Sequence, residues 1–293
     1  MADSHGQLQW TDDYWNRIRR VVLEEARAAR VAGGFLPLDG PLEPDASYVP
    51  QQTLVRPGDR VSIVPGFTVD DTTTLKLSTL ETKVYLRPAQ VADPKLTSAL
   101  IAFRRAANVL AHLEDEIIFR GQKGENQGPK DLPGTTNSPS SAGTVQGGEE
   151  SDGLLRCAST STEVVRASGE ELVSHVSRSI GLLERNCHLG PFACVLGAKY
   201  FQIAQTPNDS LMLPQDRILP FLGGGSIVRS SAIADTTGLV IALGGAPIDL
   251  VVATDVSVAF LQVTAEAWFV FRVYEKMVLR VNQSDAIACF STV

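Results

Sequence analysis

Residues 93–121 read DPKLTSALIAFRRAANVLAHLEDEIIFRG, and this stretch decides the architecture. Leu96, Leu100, Phe103, Ala107, Leu110 and Ile117 recur at three- and four-residue intervals or their multiples, which lays one apolar stripe along a helix. Asp93 followed by Pro94 offers an N-cap and a proline at the first helical position, so the spacing predicts a helix over residues 94–119. At 1.5 Å rise per residue such a helix is about 39 Å long. It is a spine rather than a packing unit of ordinary length.

Upstream, Trp15, Ile18, Val22, Leu23, Ala26 and Ala29 predict an amphipathic helix over residues 11–32, with Thr11 or Asp12 as N-cap and Gly33-Gly34 as its stop. Residues 35–41 then run extended to a Gly40-Pro41 breaker. Residues 53–87 are rich in Thr and Val, alternate at Leu75, Leu77 and Val84, Leu86, and carry turn signals at 57–59 and 65–66, which predicts an extended hairpin of two long strands. Downstream, residues 122–153 are almost all small, polar or charged, and are expected as a flexible surface loop. A helix over 168–185, a buried strand over 192–196, a helix near 200–205 and a polar loop at 207–214 follow. Five strands close the chain, over 239–243, 250–253, 256–261, 267–273 and 278–281.

The 293 residues are 44% hydrophobic and 20% charged, which is globular composition. A net charge of −7 without a cluster of Lys or Arg argues against a nucleic-acid surface. The first nine residues hold no apolar run, and the longest uncharged stretch is too short to span a bilayer, so a soluble, cytoplasmic protein is expected. Four cysteines without C-x-x-C spacing are expected as free thiols.

Catalytic chemistry needs convergent groups, and few are visible. None of the four histidines has a second His or a Cys at ligand spacing, so surface or capping roles are expected and no metal or cofactor site is assigned. Glu114-Asp115-Glu116 lacks the Glu-x-x-His pairs of a carboxylate metal site and is expected to be a solvated face. Gly223-Gly224-Gly225 lacks phosphate-loop spacing, and no Gly-x-Ser-x-Gly elbow occurs.

Four blocks, in order, give the sequence a resemblance. The opening helix with Trp15 leads directly into Phe35-Leu36-Pro37-Leu38-Asp39-Gly40-Pro41, Glu114–Gly121 closes the spine, Gly190-Pro191-Phe192 opens a strand, and Asp255-Val256-Ser257-Val258 precedes Phe269-Val270-Phe271-Arg272-Val273. Together they resemble the encapsulins of the first, phage-capsid-like family, the linocin-type shell proteins of bacterial nanocompartments. The sequence departs from that pattern in a shorter connection over 87–94, in an insertion-like segment at 122–153, and in Gly33-Gly34 where Gly-Arg is common.

The resemblance implies an α+β fold of the tailed-phage major capsid protein type. It divides the chain into an inner-wall helix and strand (1–52), a β-hairpin arm (53–82), a peripheral-domain spine (83–121), an insertion loop (122–153), an axial domain (154–245) and peripheral strands (246–293). The function implied is a self-assembling icosahedral shell, not an enzyme, enclosing a cargo enzyme such as a ferritin-like protein or a dye-decolorising peroxidase through a cargo-loading peptide. The alternative is a phage or prophage capsid enclosing DNA, against which the acidic charge counts. A secreted bacteriocin or protease is disfavoured by the absence of a leader and of a catalytic constellation. Carried over by position, the cargo groove would involve Trp15, Ile18, Val22, Leu36, Leu38, Asp255, Val256 and Val258, with pure packing as the competing role for Trp15 and Ile18 and, less strongly, for Val22. Pro207, Asn208, Asp209, Ser210, Leu211, Met212 and Leu213 would line the fivefold pore, against the reading of an ordinary surface loop.

Overall fold

The computed structural model describes residues 8, 10–43, 45–55, 66–122, 142–148, 151–164, 167–207 and 212–292. Two five-stranded sheets share one continuous apolar core. The first takes strands in the order β1 (Leu38–Asp39), β12 (Ile248–Val263), β13 (Phe269–Val281), β6 (Ser78–Leu86) and β7 (Gly143–Gln146). The second takes β10 (Ile227–Arg229), β9 (Phe192–Leu196), β11 (Thr237–Ala242), β14 (Ile287–Thr292) and β8 (Thr160–Val164).

Helix α1 (Asp12–Ala29) and the spine α3 (Thr97–Arg120) pack on each other and against the first sheet. Their stripes explain why: Ile18, Val22 and Ala26 from α1 and Phe103, Ala107, Leu110 and Ile117 from α3 are all buried. An aromatic cluster fixes the start of α1. Trp10 stacks on Phe271 at 4.8 Å between ring centroids, meets Trp15 edge-on at 5.4 Å, and donates from its indole N–H to the Val91 carbonyl at 3.0 Å. Phe103 of α3 and Phe260 of β12 meet the same Phe271 ring at 5.4 Å each.

The spine begins later than the Asp-Pro signal predicts. Pro94 lies in a turn, Leu96 adopts a left-handed conformation with φ 53°, and the helix starts at Thr97. Asp93 still caps it, its carboxylate accepting from the Lys95 and Thr97 amides at 2.9 and 2.8 Å, while Leu96 is drawn into the core. Gly121 ends the spine at φ +78°, where a Cβ would sit 2.4 Å from the Ser151 carbonyl oxygen.

In place of two long hairpin strands the chain forms a segmented ribbon. Strands β2 (Tyr48–Pro50) and β3 (Thr53–Val55) pair antiparallel with β5 (Thr74–Lys76) and β4 (Thr68–Asp70) respectively. Part of the expected 122–153 loop is sheet, because residues 143–146 pair with β6 and place Val145 opposite Leu80. The expected strands over 250–253 and 256–261 are one strand, as are 267–273 and 278–281, with irregular register between Val252 and Ser257. The last strand, β14, leaves the first sheet and pairs with β11 and β8, so the chain end lies in the second sheet. Helix α5 (Gly169–Arg185) covers that sheet, with the Ser168 hydroxyl accepting from the Glu171 amide as its N-cap. Helices α6 (Ala198–Ala204) and α7 (Pro214–Ile218) lie beside it, and the short helices α2 (Pro88–Val91) and α4 (Gly153–Cys157) pack on the spine.

Candidate functional site

The positions for which a groove role is expected are spread along α1, residues 35–39 and β12. Trp15 and Ile18 lie in the first half of α1, Leu38 pairs with Leu250 near the start of β12, and Asp255 lies five residues further along that strand beside Arg27 and Arg30. Ile18 and Val22 are fully buried between α1 and α3, and Leu36, Val256 and Val258 are nearly so. Trp15 is half-buried against Trp10 and Phe271. Leu38 stands apart with 59% of its surface exposed, and the Asp255 side chain is 43% exposed. The accessible members of the set are therefore Leu38, Asp255 and, in part, Trp15, over whose ring the Arg19 guanidinium lies at 5.6 Å.

Around Asp255 and Arg30 lies a charge cluster that the acidic triple does not advertise. The expected solvated face is wrong for two of its three residues: Glu114 and Asp115 are buried, and only Glu116 is partly open. Arg30, just past the end of α1, reaches inward between Glu114 of α3 (Nε to Oε2, 2.5 Å), Glu275 of β13 and Asp255 of β12 (Nη1 to Oδ1, 3.3 Å). Arg27 adds a looser contact to Asp255 at 3.7 Å. One guanidinium thus ties α1 to α3 and to both long strands of the first sheet. Asp115 closes the corner by accepting from the Ala32 amide at 2.8 Å and the Val31 amide at 3.0 Å, which satisfies backbone donors where α1 gives way to the chain leading out.

The electrostatics follow from burial. Desolvation pushes the Glu114 carboxyl well above its ordinary range, and the charge of Glu275 adds to this while Arg30 opposes it. Glu275 is raised for the same first reason, again opposed by Arg30. Burial lifts Asp115 to about 7 despite its two amide donors. Burial works against the Arg30 charge, yet Glu275, Glu114 and Asp255 together hold it above the usual arginine value. This arrangement staples elements together. It has no nucleophile beside a base, and no metal-binding group of three or more His, Cys, Asp or Glu occurs among the described residues.

Two further positions are held by similar means. Arg280 bridges Asp249 (2.7 and 2.9 Å) and Asp39 (2.8 Å), which fixes β1 beside Leu38. Gly40 follows with φ +136° and passes so close to β12 that a Cβ would lie 2.2 Å from the Val252 carbonyl oxygen. His175 and His188 are buried rather than on the surface, with His188 Nε2 3.0 Å from Asp285. Of the expected pore residues, 208–211 lie outside the described residues. Pro207 follows α6, Met212 is exposed, and Leu213 is the residue before α7.

A protein-family model described as "Encapsulating protein for peroxidase" matches residues 143–278. The type 1 encapsulin shell protein EncA of Myxococcus xanthus is 25% identical over 295 aligned residues, covering 97% of this chain and 94% of that one. Among solved structures, the virus-like particle of Pyrococcus furiosus superposes with a TM-score of 0.69 at 15% identity, over 95% of this chain and all of that one. This is the capsid-like fold. The capsid of the Myoviridae phage XM1 shares it with a TM-score of 0.59 at 13% identity, over 89% and 90% of the two chains. So does the SrpI encapsulin of Synechococcus elongatus PCC 7942, with a TM-score of 0.57 at 11% identity over 89% and 85%. The chain therefore resembles the encapsulin shell proteins in sequence, and its α+β fold is the one they share with phage capsids.

Proposed function

We propose that this protein is the shell subunit of a cytoplasmic, icosahedral encapsulin-type compartment that assembles from copies of itself and encloses an enzyme cargo. The observation that carries the reading is the capsid-like fold over nearly the whole chain, together with a ribbon that a single subunit does not cover. Tyr48, Phe67 and Val69 of that ribbon region are 61%, 71% and 54% exposed. A two-stranded element is marginal alone and its open edges invite pairing, so neighbouring copies are its natural partners.

Cargo would dock as an extended peptide on the inner wall at Leu38, Asp255 and the accessible part of Trp15, with Leu36, Val256 and Val258 shaping the floor. Two or three aliphatic side chains seated there would each contribute roughly 1.5 to 3 kcal/mol, and many copies in one shell add avidity. The pore would lie at residues 207–213. Capsid use for DNA is the second reading, since phage capsids share the fold, and the net charge of −7 weighs against it.

Co-expression with a candidate cargo enzyme of the ferritin-like or dye-decolorising peroxidase type tests the cargo reading. Leu38→Glu is expected to leave particles intact and remove most co-purifying enzyme, because Leu38 is exposed and supports no core. Full loading of the Leu38→Glu shell would overturn the groove, and particles filled with DNA instead of protein would favour the capsid reading.

A further inference from the structure

The spine helix has another face, turned from Glu114, and it lines a cavity of about 460 Å³ that Asp115 of the charge cluster also borders. Arg105, Asn108 and His112 follow one another there at helical spacing, so they stand in a row on one wall. Arg229, the last residue of β10, and the next two residues, Ser230 and Ser231, line it from the second sheet. The cavity sits where the helical layer of the first sheet meets the second sheet.

Its polar groups are almost all donors. Neither Arg105 nor Arg229 is paired with an acid among the described residues, and Arg229 lies over the Phe201 ring with 5.8 Å from Cζ to the centroid. Ser230 is buried, and its hydroxyl oxygen accepts from the Ala232 amide at 3.1 Å, which leaves its proton to donate. His112 has Nε2 3.5 Å from Glu116. The Asn108 amide is committed to Glu25 at 2.9 Å and so braces the wall. Asp115 also borders the cavity, but both its oxygens are taken by the Val31 and Ala32 amides. In a chain of net charge −7 this sets two exposed arginines, neither paired with an acid among the described residues, on the lining of a half-open pocket. The two come from different elements that line one pocket within the size range of small-ligand sites.

We propose that this cavity binds a small phosphate-bearing anion of about mononucleotide size, held by Arg105 and Arg229 from different elements. The planar guanidinium fork matches phosphate oxygens in pairs, Ser230 adds a third donor, and Val31 and Val109 offer apolar contact to the ligand's body. Because one wall belongs to the spine and the other to the second sheet, an occupant ties the two layers together. The inference is independent of shell assembly.

Isothermal titration of the full-length protein, in whatever assembly it forms, decides the matter with two probes, inorganic phosphate and adenosine 5′-monophosphate. Saturable binding of the nucleotide at one site per chain is expected, weakened at least about ten-fold by Arg105→Ala and by Arg229→Ala, and unchanged by Arg178→Ala on the exposed side of α5. Equal affinity for inorganic phosphate would assign the site to the free anion within the same chemistry. No saturable binding of either probe, or binding indifferent to both arginines, would overturn the proposal. Binding of a short oligonucleotide but not of the mononucleotide would overturn it in favour of a nucleic-acid path. The two arginines come from separate walls, so a folding defect in one variant leaves the other to decide.

Discussion

Three carboxylates converge on one buried guanidinium at the end of α1, and that imbalance sets how the cluster behaves. Asp255 is partly solvated and shared with Arg27, so the contest is between Glu114 and Glu275 for Arg30. Burial raises both carboxyls, and the guanidinium opposes the rise in each. Removing the guanidinium leaves the acids buried without a counter-charge. Arg30→Ala is therefore expected to cost about 3 to 5 kcal/mol, read from urea unfolding at fixed protein concentration. A loss within a few tenths of a kcal/mol, the size of an ordinary surface substitution, would contradict the staple.

The sign of the pH dependence follows from the same residues. Asp115, Glu114 and Glu275 have folded-state values above their unfolded ones, so the stability they contribute is complete below about pH 4 and is lost as pH rises through the folded values. For Asp115 that loss is centred near 7. The urea midpoint should fall between about pH 5.5 and about pH 8. Asp115→Asn keeps an acceptor for the Val31 and Ala32 amides and should flatten part of that fall. A midpoint that rises over this window would contradict the reading.

At the scale of elements, α1 is held at both ends, by aromatic rings at its start and by Arg30 at its finish. Phe271 is the common partner of Trp10, Trp15, Phe103 and Phe260, so Phe271→Ala should cost about 3 to 5 kcal/mol. It should also shift tryptophan emission to the red as Trp10 and Trp15 gain water. Unshifted emission would mean that α1 is fastened elsewhere. The two long helices were legible because a 3.6-residue period survives over many turns. The acidic triple was misread although a signal was present. Glu114 falls four residues after Leu110 and three before Ile117, on the apolar stripe itself, and a charge at such a position requires a buried partner. That partner, Arg30, is 84 residues away in sequence, beyond the reach of local pattern. Strand β7 offers only Val145 as an apolar residue, and β14 is a short apolar run that periodicity cannot assign. Both are strands because a neighbouring edge was available to pair with them.

For the whole molecule, the capsid-like fold was legible through motifs in order, while the expected long hairpin is a segmented ribbon and the expected groove positions were less legible, because period and burial are alike for a core residue and a pocket floor. Ile18 and Val22 fall on the core side and Leu38 on the open side. If the ribbon is an inter-subunit device, replacing residues 48–76 by a short Gly-Ser linker should leave the two-sheet core folded and abolish closed particles, as seen by circular dichroism beside light scattering. Closed particles formed without it would remove the ribbon from the account. The central claim is that the subunit is a shell building block, and electron microscopy of the protein expressed alone and purified at neutral pH tests it most directly. Hollow, closed particles of uniform diameter with icosahedral symmetry are the predicted result, and a stable, folded monomer at every concentration would contradict it.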